Sequence, residues 1–257
     1  MAQPLVLLER TGAIAVLVLN HPEKRNALSR AVLTALADRL REIAADPSIK
    51  CVIVRAVGPV FSSGHDLNEV RGAAVDELES LFVLCSEVME TIRRLRVPVI
   101  AEVAGVATAA GCQLAATCDL VIAAEEATFA TPGVKIGLFC STPAVAVSRA
   151  VPAKKAMEML LTGEAISAAE AERVGLVNRV VPREQLSAAT LALAEKVASA
   201  SGATVALGKR AFYEQLGVDR PRAYEIASRA MVENAQLPDA DEGIGAFLEK
   251  RSAKWST

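Results

Sequence analysis

Two short stretches, Phe61-Ser62-Ser63-Gly64-His65-Asp66 and Ala107-Thr108-Ala109-Ala110-Gly111-Cys112-Gln113, could do chemistry through the main chain. Each follows an apolar, β-branched run (Cys51–Val57; Val97–Val103) and leads into helical periodicity. Small residues let the backbone turn sharply, and a turn that opens a helix leaves its first N–H groups unpaired where the helix dipole favours negative charge. Facing one another, two such turns could hold one oxyanion between two backbone donors. The same stretches also read as ordinary strand-to-helix turns, and turn chemistry alone leaves both readings open. Neither brings an acidic side chain to the point of chemistry.

The elements that must position these turns are visible as apolar runs. Ala13–Leu19, Cys51–Val57, Val97–Val103 and Leu120–Ala124 are predicted strands. Between the first three, Leu28, Ala31, Val32, Ala35, Leu36, Leu40 and Ile43 recur at helical spacing, as do Leu78, Leu81, Phe82, Cys85, Val88, Met89, Ile92 and Leu95. Alternating strand and helix predicts an α/β fold. Ser167-Ala168-Ala169-Glu170 fits a capping box, with Gly175 closing a short helix. Beyond Val177–Val181 helical patterns take over, at Leu186–Ala200, Val205–Leu216, Pro221–Gln236 and Asp241–Lys250.

A chain of 257 residues, 52% hydrophobic but only 4% aromatic, suits one large domain with a small appendage and a core of Ala, Val and Leu. Its net charge of −2 argues against nucleic acid or an anionic membrane as main partner. No apolar run reaches the about 18 residues that cross a bilayer. Met1-Ala2-Gln3-Pro4-Leu5 lacks a basic leader region, so a cytoplasmic protein is expected. Cys51, Cys85, Cys112, Cys118 and Cys140 form no CxxC pair, and His21 and His65 are the two histidines, so neither a disulfide framework nor a metal site is expected.

Further landmarks fall in order along nearly the full length: His21-Pro22-Glu23-Lys24-Arg25-Asn26-Ala27-Leu28, Phe129–Pro143, Leu161–Ala168 and Phe247-Leu248-Glu249-Lys250-Arg251. With the two turns, they make the chain resemble the enoyl-CoA hydratase/isomerase (crotonase) family. Phe61–Leu67, Ala107–Leu114 and Gly137–Pro143 are most similar to its branch of enoyl-CoA hydratase domain-containing protein 3. The resemblance implies a ClpP-like spiral of ββα units over residues 1–195 carrying an acyl-CoA site. It also implies a C-terminal helical segment, 196–257, that packs into a homotrimer or a dimer of trimers.

By the same resemblance, the thioester carbonyl of an acyl-CoA lies between the backbone N–H groups of His65, after Ser63-Gly64, and Ala110, before Gly111. Lys24 and Arg25 match the loop that contacts the coenzyme, and Ala27, Leu28 and Leu67 match its adenine and pantetheine walls. Lys250 matches a lysine that reaches a coenzyme phosphate, commonly across a subunit boundary. A coenzyme A thioester is therefore expected as substrate or ligand, with no tightly bound cofactor.

Family hydratases add water with two glutamates, whose positions match Gln113 and Gly133. An amide does not titrate near neutral pH and glycine has no side chain, so neither can exchange a proton. A third position, acidic in the family's dienoyl isomerases, matches Ser141. Cys140 and Ser141 lie in the loop that lines the acyl pocket by resemblance, where either could act as nucleophile or positioner given a base. His65 could titrate near neutrality. Of the acids nearby in sequence, Glu102, Asp119, Glu125 and Glu126, Asp119 reads as a structural partner. Gly133–Phe139 is also similar to dihydroxynaphthoyl-CoA synthases that borrow bicarbonate as base, with Thr131 and Cys140 at the positions that hold or flank it, which makes bicarbonate a minor alternative. The expected function is thus acyl-CoA thioester binding in an enoyl-CoA hydratase-like lyase or isomerase of fatty acid metabolism. The alternatives are a non-catalytic acyl-CoA-binding or regulatory homologue, and a different thioester-enolate or hydrolase reaction.

Overall fold

Strands that are apolar at nearly every position fit only where both faces of a sheet are covered. The computed structural model describes residues 3–256. In chain order it runs β1 (Val6–Thr11), β2 (Ile14–Leu19), α1 (Arg30–Ala45), β3 (Cys51–Ala56), β4 (Val60–Ser62), α2 (Val75–Arg94), β5 (Val99–Val103), β6 (Val106–Thr108), α3 (Ala110–Thr117), β7 (Leu120–Ala124), β8 (Thr128–Ala130) and α4 (Ser141–Ala150). Strand, strand, helix thus recurs along the chain. From β3 onward, the first strand of each unit joins a main sheet and the second joins a smaller one. Then follow α5 (Ala153–Thr162), β9 (Ile166–Ser167), α6 (Ala168–Arg173), β10 (Arg179–Val181) and four helices, α7 (Leu186–Ala198), α8 (Gly202–Gln215), α9 (Arg220–Ala235) and α10 (Pro238–Leu248). The main sheet has the order β1-β2-β3-β5-β7-β10 and the smaller β4-β6-β8-β9. Only β1–β2 and β8–β9 pair antiparallel; the remaining ladders are parallel. This is the spiral of ββα units.

Period-two alternation assigns the faces. Ala15, Leu17 and Leu19 of β2 pack with Leu33, Leu36 and Leu40 of α1 and with Leu81, Cys85 and Ile92 of α2. Ile14, Val16 and Val18 face the other way, toward Leu186 and Ala194 of α7. The predicted strands are all present, shifted only at their ends, and Ser167 accepts a hydrogen bond from the Glu170 N–H as a helix cap. Sequence reading misses β1, an edge strand whose Glu9 pairs with Arg55 at 2.7 Å and which folds back at Gly12. It also misses β4, β6 and β8, whose three residues each are too few to show a period.

A buried charged cluster fastens the helical tail to the sheet. Asp119 accepts hydrogen bonds from the Val99 N–H at 2.7 Å, from Lys209 Nζ at 2.6 Å and from the Tyr213 hydroxyl at 2.7 Å. Lys209 also donates to the carbonyls of Ile92 and Val97, each at 3.0 Å. Breaking such a pair by removing one partner costs about 3–5 kcal/mol, and Asp119 is indeed a structural partner. The division drawn at 195/196 falls within α7. Farther along the tail, Tyr224, Met231, Phe247 and Leu248 are exposed, Phe247 by 82%.

Candidate active site

The first turn leaves β4 at Ser62. Gly64 has φ +87°, a conformation that glycine adopts without strain. Its carbonyl accepts the Leu28 N–H at 2.7 Å, and the Ser63 N–H donates to the Arg25 carbonyl at 3.1 Å. The second turn joins β6 to α3 through Ala109, itself at φ +50° and held by its N–H to the Ala130 carbonyl at 2.9 Å. The two turns touch. A β-carbon on Gly64 would lie 2.8 Å from Ala109 Cβ and 3.1 Å from the Ala110 nitrogen. One on Gly111 would lie 2.3 Å from the Ser62 carbonyl oxygen. Glycine is required at both positions because backbone occupies the place of a side chain.

This contact brings His65 and Ala110 to the wall of one cavity of about 700 Å3. Among the described residues neither amide donates to a protein acceptor. Ala110 is the first residue of α3, so its N–H also carries the helix dipole. The expectation for His65 is corrected here. No helix begins at its turn, since α2 starts only at Val75 and residues 67–72 form turns. Its N–H is exposed by the positive φ of Gly64, without a dipole behind it.

Other expected residues separate into those that line this cavity and those that support it. Lys24, Arg25, Ala27, Leu67, Cys140 and Ser141 line it, as does Gly133. Leu28 is fully buried, and Gly64 and Gly111 act through the close approach just described. Lys250, beyond the end of α10, does not line it. Gln113 lines a second cavity, which shares Thr142 with this one. Its side chain is buried, and its Oε1 has no partner among the described residues.

Gly133 is more than a lost carboxylate. A β-carbon there would meet the Leu138 carbonyl oxygen at 2.1 Å and the Cys140 Sγ at 2.8 Å. The loop closes on that side: the Leu138 N–H donates to the Gly133 carbonyl at 2.9 Å, and the Gly133 N–H to Cys140 Sγ at 3.3 Å. Cys140 is accordingly a loop pin, its thiol pushed up by burial and therefore a poor nucleophile. The Ser141 hydroxyl donates to the Phe139 carbonyl at 3.4 Å.

His65 stacks edge-on against Phe82, with ring centroids 5.3 Å apart. Its Nδ1 lies 3.2 Å from the Leu28 carbonyl, an acceptor, so Nδ1 carries the proton and the buried Nε2 has no partner among the described residues. Burial lowers its pKa from 6.5, which favours the neutral ring at pH 7. Asp66, the one carboxylate among the described lining residues, accepts the Asn68 N–H at 2.9 Å, which holds its carboxyl below the usual range. Of the other acids, Glu102 accepts from Ser187 at 3.0 Å, Glu126 pairs with Arg183 at 2.9 Å, and Glu125 does not line the cavity.

Sequence reasoning missed Asn26. Buried and at φ +50°, it accepts the His21 N–H at 2.9 Å and donates to the carbonyls of Val57 at 2.9 Å and Val60 at 2.7 Å. It thereby fixes the Lys24–Arg25 loop to the start of β4. An asparagine standing between a charged run, Glu23-Lys24-Arg25, and Ala27-Leu28 was the available signal.

The sequence profile described as Enoyl-CoA hydratase/isomerase matches residues 9–257. Enoyl-CoA hydratase domain-containing protein 3, mitochondrial, from Mus musculus is 54% identical over 93% of this chain and 80% of its own length; the Homo sapiens protein of that name is 52% identical over the same shares. The crystal structure of an enoyl-CoA hydratase from Mycobacterium smegmatis superposes with a TM-score of 0.97 at 47% identity, covering 99% of this chain and all (100%) of that one. That of human enoyl coenzyme A hydratase domain-containing protein 3 gives 0.95 at 50% identity, covering 98% and 100%. The curated relatives are mitochondrial by name, which overturns the cytoplasmic expectation; what the first five residues lack carries no address.

Two outcomes follow from the geometry. Gly133→Glu should destabilise the fold by at least about 2 kcal/mol in a denaturant titration, because backbone blocks its first side-chain carbon; unchanged stability would refute the blockage. For His65, the unfolded chain titrates near the ordinary value of 6.5 and the folded ring below it, so as the pH falls the unfolded state takes up protons first. The stability contributed by the neutral ring is complete above about 6.5 and is lost below it. Urea midpoints should therefore drop between about pH 7.5 and 5.5, and drop less in His65→Gln; identical slopes in both proteins would contradict the assignment.

Proposed function

The chain belongs to the enoyl-CoA hydratase/isomerase family, in the branch of enoyl-CoA hydratase domain-containing protein 3, and we propose that it binds an acyl-CoA thioester and polarises its carbonyl without hydrating enoyl substrates. The observation that carries this reading is the pair of acceptor-free amides, His65 and Ala110, on one cavity wall. An oxygen between two fixed N–H donors gains negative charge at little cost, which favours enolate-like character in the thioester. Lys24 and Arg25, exposed at the rim of the same cavity, suit coenzyme phosphates.

Water addition needs a proton acceptor and a proton donor beside the double bond. Gln113 supplies neither and faces another cavity, while Gly133 is closed off by the Leu138 carbonyl. Thioester hydrolysis through Cys140 is disfavoured by its buried thiol and by its hydrogen bond from Gly133. The exposed apolar side chains of the tail, Tyr224, Met231, Phe247 and Leu248, support assembly into a homotrimer or a dimer of trimers, with Lys250 of a neighbouring copy completing the coenzyme site.

Calorimetry with butyryl-CoA should show micromolar binding, weakened about tenfold or more in Gly64→Ala, where the new methyl pushes the two amides apart. Crotonyl-CoA should keep its enoyl absorbance with the wild type and with Gln113→Glu/Gly133→Glu. Steady hydration by the wild type, or no binding of any acyl-CoA, would reject the reading. Light scattering of the same sample should give three or six chains per particle, and a monomer would remove the assembly.

A further inference from the structure

A second cavity, of about 840 Å3, lies among α2, α3, α4 and α8 and shares Thr142 with the acyl-CoA cavity. Gln113 lines it three residues beyond Ala110, about one helical turn along α3. Gln113 is only 4% exposed and its Oε1 has no partner among the described residues, so that oxygen is left able to accept a hydrogen bond.

The wall is strongly cationic, with five arginines against three glutamates. Arg94 and Arg210 are taken up by Glu90 at 3.4 Å and Glu233 at 2.7 Å, and Arg96 by the carbonyls of Asp46 and Ile49. Two remain without a carboxylate among the described residues. Arg93, half-buried, holds its guanidinium 4.0 Å above the Tyr213 ring, and Arg149 donates to the Val145 carbonyl of its own helix at 2.8 Å. A guanidinium with an open fork is suited to a carboxylate, which it can bind through two parallel hydrogen bonds.

We infer that this cavity receives a second carboxylate at the distal end of the acyl chain, so that the ligand is the coenzyme A thioester of a dicarboxylic acid, held by Arg93 and Arg149 past Thr142 and Gln113. The inference rests on the acyl-CoA reading above and adds the class of acyl group to it. A purely aliphatic tail makes no use of these two guanidinium groups, whereas a carboxylate pairs with them.

The test compares hexanoyl-CoA with adipoyl-CoA, which share a chain length and differ in the terminal carboxylate. The wild type should bind adipoyl-CoA at least about tenfold more tightly, and added salt should shrink that ratio. The ratio should fall toward one in Arg93→Gln and in Arg149→Gln. The second substitution lies on an exposed helix surface, so it keeps the test decisive if the first disturbs folding. Equal affinities in the wild type, or a ratio that survives both substitutions, overturns the dicarboxylate while leaving acyl-CoA binding in place. Binding of neither thioester overturns both.

Discussion

The site depends on a place where two turns are packed backbone to backbone. Gly64 abuts Ala109 and Ala110, and Gly111 abuts Ser62, at separations that exclude even a methyl group. Such proximity is what the spiral produces: β4 and β6 lie side by side in parallel, so the turns that leave their C-terminal ends emerge together. The alignment also needs Ala109 in a conformation that costs an alanine about 1–3 kcal/mol. Its N–H to the Ala130 carbonyl, on the next strand of the same small sheet, offsets part of that cost. Amides presented in this way come from the path of the main chain, so they survive side-chain changes that would abolish an acid–base site.

Much of this was legible in the residues, and the divisions have physical causes. The long strands and α1 and α2 show clear periods because each buries one regular face. The paired turns stand out because only small residues tolerate such contact. The three-residue strands of the second sheet are too short to carry a pattern, and β1 carries Glu9 and Arg10 because it is an edge. The position of Gln113 was hidden for a different reason. Which cavity a buried helix residue meets depends on the elements packed around that helix, and no spacing rule supplies this. Gly133 was readable as a missing acid. That the loop has closed over it depends on Leu138 and Cys140, whose approach has no local signature.

The chemistry around the amides is correspondingly spare. Among the described lining residues, burial favours the neutral His65 imidazole and the protonated Cys140 thiol, and Asp66 is engaged by Asn68. On the reading proposed above, the two amides clamp a thioester carbonyl, and neither Gln113 nor Gly133 brings a titratable side chain to it. Asn26 belongs with the clamp. Through its hydrogen bonds to Val57 and Val60, and through the Ser63 N–H to the Arg25 carbonyl, the basic loop and the first turn form one continuous unit.

The Asp119–Lys209–Tyr213 cluster has a bearing on the arginine-lined cavity as well as on stability. Tyr213 is anchored through its hydroxyl, and the Arg93 guanidinium rests on its ring, so one wall is rigid before anything enters. A receptor whose side chains already hold their bound rotamers loses little conformational entropy on association, and affinity there reflects the contacts themselves. Discrimination between guests then rests on fixed geometry, since a rigid wall cannot rearrange to welcome a poor fit.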